Sequence, residues 1–344
     1  RWLFAASAFG CALAALTTVQ ADEFVTTEDA QMVGLDNWST EPVFTIGETF
    51  DGYRPPGVPD GMGAYALDAS TVRVLVNHEL NEGLGYNYTL ANGVQLTGAR
   101  ISYFDLDRDT RAVCAAGPAY DTIYDRAGDV VTDPAQVNED GVDIDGLSRL
   151  CSARFVSAGE WGFENDLFLS GEETSQSFHP HGGTEWVLDV VNRELWAAPM
   201  LGRGAWENVT PVDTGSDRHI GLLLGDDTQA APLYLYIGTK RRRGTLLERN
   251  GLTNGRLYVW VADSGANSPQ AFNGKGNTLE GRFVRVRQYI RGRAGREGWD
   301  SLGYADQNNL FAQADGAGAF QFSRPEDLHE NPFDGTQVAF ASTG

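Results

Sequence analysis

Alternation of apolar and polar residues is the main pattern along this chain, and it predicts β-strands. Seven segments rich in β-branched and aromatic residues show it, at 99–107, 184–190, 193–199, 219–227, 232–239, 256–263 and 281–289. Turn-forming residues such as Asp107-Arg108-Asp109 and Asp263-Ser264-Gly265 separate them. No sustained helical period follows residue 21. The pattern therefore predicts an all-β fold.

A recurring unit indicates how these strands are arranged. An aromatic-rich strand that ends in Asp or a small residue, followed by a tight turn, returns near residues 101, 185 and 257. Units of about 40–50 residues with four short strands are typical of a β-propeller, whereas a pair of β-sandwiches is the alternative. In a propeller, side chains at the strand ends of different blades can meet around one ion. We therefore expect a single β-propeller domain over 22–344.

The first 21 residues have the features of an export signal. Arg1 precedes an apolar segment of small residues, and Val19-Gln20-Ala21 fits a cleavage site before Asp22. A membrane anchor is the alternative, but the apolar run is shorter than the ~20 residues that a span requires. We predict a signal peptide over 1–21, a secreted or periplasmic protein, and no membrane span in its mature form.

Acidic residues outnumber basic ones, 47 to 26, for a formal net charge of −21. A phosphate backbone would be repelled by such a chain, so nucleic acid is not an expected partner. The acidity has two compatible explanations. One is a solvated acidic surface, and the other is a cluster of carboxylates that holds divalent cations.

The pair Glu172 and Glu173 comes directly after the apolar run Leu167-Phe168-Leu169 and the short link Ser170-Gly171. Two like charges at a strand tip are tolerated when a cation neutralises them, and carboxylate oxygens suit calcium. A solvated turn is the alternative interpretation. This pair is therefore a candidate Ca²⁺ site.

The segment Arg324-Pro325-Glu326 is a second candidate. Proline fixes its own φ and biases the residue before it towards an extended backbone. We therefore predict an extended Arg324, with its guanidinium and the Glu326 carboxylate held on one face. An ion pair on a surface turn is the alternative.

Cysteines and basic clusters leave further alternatives open. Outside the predicted signal, Cys114 and Cys151 form a disulfide, or Cys151 is a metal thiolate. The basic clusters at 240–243 and at Arg291, Arg293 and Arg296 lie in glycine-rich loops, where solvated surface is the ordinary interpretation and an anion clamp the other. The sequence contains no G-x-S-x-G, P-loop or H-E-x-x-H motif.

Five motifs, taken in order, resemble a known family. They are VNHEL (76–80), LSRLCSARF (147–155), the strand ending in Glu172-Glu173, LGRGAWE (201–207) and FSRPEDL (322–328). In this order, over roughly 42–344, the chain resembles the PhoX-type alkaline phosphatase family. The resemblance implies a six-bladed propeller that hydrolyses phosphate monoesters outside the cytoplasm with a mixed iron and calcium cluster in its channel.

The resemblance also implies roles for individual residues. Cys151 and Glu207 correspond to iron ligands, and Glu326 corresponds to a metal-ligating carboxylate. Glu173, together with Glu172, corresponds to a strand-end calcium ligand, and Arg324 corresponds to the residue that grips the phosphate oxygens. The expected cofactors are therefore Ca²⁺ and Fe³⁺, and the expected partner is a small phosphoester substrate.

Departures from the family pattern keep other functions in view. Trp206 stands where the family has a histidine before the ligating glutamate, and Gly171 stands where cysteine is frequent. The given chain stops at a predicted strand end where the family continues, so we expect either an incomplete last blade or a blade that closes differently. The alternatives are a noncatalytic secreted propeller with a binding role, and a calcium-dependent propeller hydrolase acting on lactones, phytate-like esters or phosphotriesters.

Overall fold

The structure is a computed structural model that describes residues 24–137, 146–272 and 274–343, so the predicted signal peptide lies outside the described residues. In chain order the strands are β1 (Pro59–Ala66), β2 (Thr71–His78), β3 (Tyr88–Thr89), β4 (Gln95–Gly98), β5 (Arg100–Asp107), β6 (Val113–Pro118), β7 (Thr122–Tyr124), β8 (Gly146–Leu147), β9 (Leu150–Val156), β10 (Leu167–Glu172), β11 (Glu185–Asp189), β12 (Glu194–Ala197), β13 (Trp206–Val212), β14 (His219–Asp226), β15 (Gln229–Pro232), β16 (Tyr234–Thr239), β17 (Gly255–Ala262), β18 (Gly281–Val286), β19 (Gln321–Ser323), β20 (Pro325–Asn331) and β21 (Asp334–Ser342). The α-helices are α1 (Leu246–Arg249) and α2 (Gln307–Gly316), and 3₁₀ turns lie at Pro134–Val137, Glu160–Gly162, Pro199–Leu201, Pro269–Ala271 and Arg291–Arg293.

Three antiparallel sheets of four or five strands form the body of the described chain. Their orders are β1-β2-β5-β6, then β9-β10-β11-β12 with β7 added in parallel beside β12, then β13-β14-β16-β17-β18. The smaller sheets are β20-β21, β15-β19 and β3-β4-β8. The first strands of successive sheets are neighbours, because β9 packs against both β1 and β13, and β13 packs against β20. Four sheets therefore stand side by side along one inner edge.

The prediction of a mostly β fold is confirmed, and each of the seven predicted segments contains a strand. The two short helices α1 and α2 depart from the all-β prediction, and α2 is the longer. The side chain of Asp306 caps this helix by accepting a hydrogen bond from the Asn309 backbone N–H at 2.8 Å. Its buried side chains are Gln307, Leu310 and Ala314, too few apolar positions to give a helical period in the sequence. Among the described residues, no helix is both long and apolar enough to cross a membrane.

Both faces of the second sheet are buried, which explains why its strands are apolar throughout. Along β11, Trp186 and Leu188 pack into a core shared with the first sheet, whereas Val187 packs into a core shared with the third. A strand buried on both faces loses the alternation that a half-exposed strand shows. On the far face of the third sheet, Leu223 packs against Leu328 of β20.

A buried ion-pair network joins three of the inner strands. Arg154 of β9 lies 2.6 Å from Glu330 of β20 and 2.6 Å from Glu160, and Thr210 of β13 donates a hydrogen bond of 2.7 Å to Glu330. Burial opposes ionisation of Glu330, but the hydrogen bonds from Arg154 and Thr210 outweigh it and lower the pKa of this carboxyl. Because its pKa is lower in the folded chain, Glu330 stabilises the fold at pH values above the ordinary pKa of glutamate. This stabilisation is lost as the pH falls through the pKa of Glu330 in the folded chain.

We predict that Glu330→Ala lowers the free energy of unfolding by about 3 kcal/mol, because it removes the buried partner of Arg154. Glu160→Ala is the matched control, since its carboxylate lies at the same distance from Arg154 but is 25% exposed, against 1% for Glu330. We expect the control to lose about 1 kcal/mol or less. Urea denaturation at pH 7 measures both, and equal losses would contradict the role of burial.

Candidate metal centre and anion site

A β-bulge at the start of each inner strand builds the candidate site. In β1, β9, β13 and β20 one extra residue interrupts the pairing with the next strand, between Pro59 and Met62, Leu150 and Ala153, Trp206 and Asn208, and Pro325 and Leu328. Bulges change the direction of side chains and are frequent at functional sites. The bulged residues that carry ligand atoms are Asp60, Cys151, Glu207 and Glu326.

A repeated backbone hydrogen bond fixes each bulge to the end of the following strand. The residue two positions before the bulged residue accepts it, and the donor follows the second strand of the same sheet. The pairs are Glu79 to Val58 (2.9 Å), Glu173 to Arg149 (2.8 Å), Asp227 to Ala205 (2.8 Å) and Thr343 to Arg324 (3.3 Å). The same backbone device thus places one bulge residue and one strand-end residue in each of four successive sheets.

Close packing of the first two bulges brings Asp60 beside Cys151. A Cβ added at Gly61 would lie 2.3 Å from the backbone nitrogen of Ala153, so no other residue fits at this crossing. The side-chain amide of Asn77 donates to the carbonyl of Cys151 at 2.5 Å and holds the second bulge from the other side. The position of the Cys151 side chain is therefore fixed by backbone packing.

Two groups of side chains come close enough to share a cation. Cys151, Glu173 and Glu207 each offer one ligand atom, and these atoms lie within 4.8 Å of one another. Asp60, Glu79 and Cys151 form a second group by the same distance, so Cys151 belongs to both. The Cys151 Sγ lies 3.3 Å from both carboxylate oxygens of Glu207. Thiol and carboxylate ligands from three sheets thus converge.

Two arginines offset part of this negative charge, and they occupy equivalent positions. Arg149 lies 2.9 Å from Glu79 and also contacts Glu173. Arg324 binds Asp227 through two hydrogen bonds of 2.7 and 2.8 Å and lies 3.0 Å from Glu326. The first and third sheets have Val58 and Ala205 at this position. The repeat therefore supplies no arginine beside Asp60 or Glu207.

Arg149 and Arg324 share a backbone conformation that is rare outside glycine. Their φ angles are +45° and +50°, in the left-handed region, and each precedes a bulge. This costs on the order of 1–3 kcal/mol per residue and is found where the surrounding structure enforces it, often at functional sites. The predicted extended conformation of Arg324 is therefore wrong, because the bulge and its hydrogen bond override the bias imposed by Pro325.

Burial and mutual repulsion make the cluster difficult to ionise. Burial raises the pKa of Glu207 to about 7, with added repulsion from Asp227 and Asp60. Burial raises the pKa of Glu173 to about 8, although Arg149 opposes the shift. Burial and the neighbouring Glu207 carboxylate raise the pKa of the Cys151 thiol far above its ordinary value. Without a cation the thiol and these carboxyls hold protons near neutral pH, and a bound cation would displace them.

The two glutamates at the tip of β10 are separated by the alternation of the strand. Glu173 reaches the cluster, but Glu172 points the other way and accepts a hydrogen bond from the Thr184 backbone at 2.9 Å, with Arg126 3.6 Å away. Adjacent strand residues face opposite sides, so both cannot join one site. Glu172 is therefore left out of the metal centre proposed below.

The remaining predicted site residues lie in or beside the cluster. Glu326 contacts Arg324 and accepts a hydrogen bond from Thr343, and it belongs to neither group of close ligand atoms. Cys151 and Cys114 are not joined by a disulfide, and the Cys114 thiol lies 3.7 Å from the carbonyl of Ala112. The open choice between a disulfide and a thiol ligand thus resolves against the disulfide.

Comparisons with known proteins give one structural similarity. No family model matches the chain, and no curated protein matches it. Among solved structures it is similar to Pseudomonas fluorescens PhoX in complex with vanadate, a transition state analogue, with 18% identity and a TM-score of 0.47. The match covers 80% of this chain and 57% of that one. The chain thus spans a little over half the length of that protein.

Sequence reasoning missed two residues that the structure places in or beside the cluster: Asp60 and Arg149. A signal for them exists in the spacing. Each bulged residue is followed, roughly 20 residues later, by the residue that closes its bulge. Aligning Pro59-Asp60 and Trp206-Glu207 with Pro325-Glu326 would have drawn attention to Asp60, and the position two residues before Cys151 would have drawn attention to Arg149.

We predict that the metal-free protein loses stability as the pH rises from about 5 to 8. Over this range the folded chain retains protons on Glu173 and Glu207 that the unfolded chain has released. Each unit by which folding raises a pKa lowers the free energy of unfolding by about 1.4 kcal/mol once both states are ionised. Glu207→Gln should flatten this dependence, whereas Glu280→Gln, at an exposed glutamate outside the cluster, should not. Melting temperatures in EDTA at several pH values test this, and an equally steep fall in Glu207→Gln would contradict it.

Proposed function

We propose that this protein is a metal-dependent phosphatase of phosphate monoesters that works outside the cytoplasm, in a propeller to which the described sheets contribute successive blades. The observation that carries the proposal is the convergence of Cys151 and Glu173 of the second sheet with Glu207 of the third, near the partly exposed guanidinium of Arg324. The predicted export signal over 1–21 supports the location. The ordered motifs that resemble PhoX-type phosphatases contribute these same residues.

The ligands fit the two kinds of cation that the resemblance implies. A thiolate with a carboxylate suits a transition metal such as iron, so Cys151 and Glu207 would hold Fe³⁺. Carboxylates without sulfur suit calcium, so Asp60, Glu79 and Glu173 would hold Ca²⁺. Bound cations would neutralise the phosphate dianion and acidify a bound oxygen. The raised pKa values of Glu173 and Glu207 are consistent with a centre built to be ionised by cations.

Arg324 is suited to hold the transferring phosphoryl group. Its guanidinium already binds a carboxylate with two parallel hydrogen bonds, the geometry that also matches two phosphate oxygens. Its side chain is 44% exposed, so a ligand can reach it. Asp227, Glu326 and Glu173 raise the pKa of Arg324, in that order of contribution, so the guanidinium stays positively charged. The contribution of Glu173 shows that Arg324 is close enough to interact with the cluster.

The neighbouring residues orient this arginine towards the cluster. Asp227 holds the guanidinium from one side and Glu326 from the other, while the left-handed backbone of Arg324 directs the side chain from the start of β20. In the proposed reaction the phosphate oxygens share the guanidinium with Asp227. A substrate bound in this way would lie between Arg324 and the carboxylates that would hold the cations.

We predict that Arg324→Ala retains the fold but loses at least 100-fold in kcat/KM for a phosphate monoester such as p-nitrophenyl phosphate, because the paired contact to the phosphoryl oxygens is lost. Arg324→Lys should recover little, since lysine cannot make two parallel hydrogen bonds. Arg282→Ala is the control, because Arg282 forms an exposed pair with Asp263 in the third sheet, and it should keep full activity. Wild-type rates in Arg324→Ala would rule out the assignment.

We predict that the purified protein contains iron and calcium, and that Cys151→Ser loses most of its iron because a hydroxyl is a weaker ligand for it than a thiolate. Cys114→Ser is the matched control and should keep the wild-type metal content. Elemental analysis measures both. Equal iron in the two variants would contradict the role of Cys151. Calcium without iron, with hydrolysis of lactones or phosphotriesters and not of monoesters, would favour a calcium-dependent hydrolase instead.

A further inference from the structure

Positive charge is concentrated in one part of this acidic chain. Residues 218–296 carry 14 lysines and arginines against 5 aspartates and glutamates, a formal charge of +9. All other residues carry 12 and 42, a formal charge of −30. Such an asymmetry indicates a surface for a charged partner. The basic segment includes the outer strands β16, β17 and β18 of the third sheet.

Two adjoining grooves lie on this part of the sheet. One has a cavity volume of about 620 Å³ and is lined by four cations, Arg218, Lys240, Arg241 and Arg242, and by two carboxylates, Glu164 and Asp217. The second has a volume of about 500 Å³ and is lined by Arg256, Tyr258 and Arg285 among others. Consecutive residues line the two grooves, since Arg218 and Lys240 belong to the first and His219 and Thr239 to the second. Together they form a basic channel defined by Arg218, Lys240, Arg242, Arg256, Tyr258 and Arg285.

The arginines of the basic channel are not paired with an acidic side chain of the part of the chain that the structure describes. Lys240 lies 3.6 Å from Glu164. By contrast, within the described ranges 24–137, 146–272 and 274–343, the guanidinium groups of Arg218, Arg242, Arg256 and Arg285 form no ion pair or hydrogen bond. The four are exposed. They are therefore available to bind anions.

The register of the sheet sets the spacing of two of these charges. Tyr258 of β17 lies directly opposite Arg285 of β18, so Arg256 is a diagonal neighbour of Arg285 on the same face. Diagonal neighbours in a sheet lie about 7–8 Å apart. Two arginines at this spacing can contact different oxyanions of one extended chain, and the partly exposed Tyr258 lies on the same face of the sheet.

We propose that the basic channel binds an extended polyanion, a flexible linear polymer whose repeating phosphate or sulfate groups pair with its arginines. Arginine matches such groups with two hydrogen bonds at once. The cations line grooves, into which a linear chain can lie but a planar lipid surface cannot.

Binding of fluorescently labelled inorganic polyphosphate and of heparin, at 50 and 200 mM NaCl, tests the proposal. We expect both probes to bind the full chain, and Arg256→Gln/Arg285→Gln to weaken binding at least tenfold and to reduce the salt dependence. Arg291→Gln/Arg293→Gln is the control, since it removes two exposed arginines of the same segment outside the channel. We expect it to change affinity less than threefold. Circular dichroism checks that each variant is folded.

Four results would overturn the proposal. They are no binding by the wild-type chain, equal losses in the two double variants, tighter binding to phosphatidylglycerol vesicles than to either polymer, and a self-association that the channel variant abolishes in the absence of polymer. The readout is binding, so none of these outcomes depends on whether the protein is a phosphatase.

Discussion

Repulsion among carboxylates drawn together by four β-bulges is the constraint on which the rest of this structure depends. Asp60, Glu173 and Glu207 are partly removed from water and face one another with Cys151 between them. Arg149 and Arg324 offset only part of the charge. Burial and this repulsion raise the pKa values of Glu173, Glu207 and Cys151, so the cluster must hold either protons or cations. Its stability and its chemistry are therefore set by the same charges.

The site is built from one backbone device used four times and varied in its side chains. Each inner strand begins with a bulge, and each bulge is closed by a hydrogen bond from the end of the next strand. Where the residue two positions before the bulged residue is Arg149 or Arg324, it offsets part of the negative charge. Where it is Val58 or Ala205, the repeat supplies no arginine beside Asp60 or Glu207. A nearly regular scaffold thus leaves carboxylates that an external cation would neutralise.

Charge is also divided between the inner and outer regions of the third sheet. At its inner edge Glu207 belongs to the acidic cluster and Asp227 pairs with Arg324, while the side chains of Arg256 and Arg285 on its outer strands form no ion pair with any residue that the structure describes. At physiological ionic strength charges are screened over about 8 Å, so the two regions can act on different ligands. The inner edge suits cations and a small phosphoester, and the outer face suits a long anionic chain.

The sequence by itself determined the strands, because alternation and β-branched composition act between near neighbours in the chain. It also drew attention to Cys151, Glu173, Glu207 and Arg324, whose types suit metal and phosphate chemistry. Only the tertiary structure decided which of these side chains meet. The extra residue of each bulge is defined against the partner strand, as Trp206-Glu207-Asn208 is against Asp226 and Gly225. That register set the direction of Glu207, brought in Asp60 and Arg149, and turned Glu172 away, because a shift of one residue reverses the face of a strand.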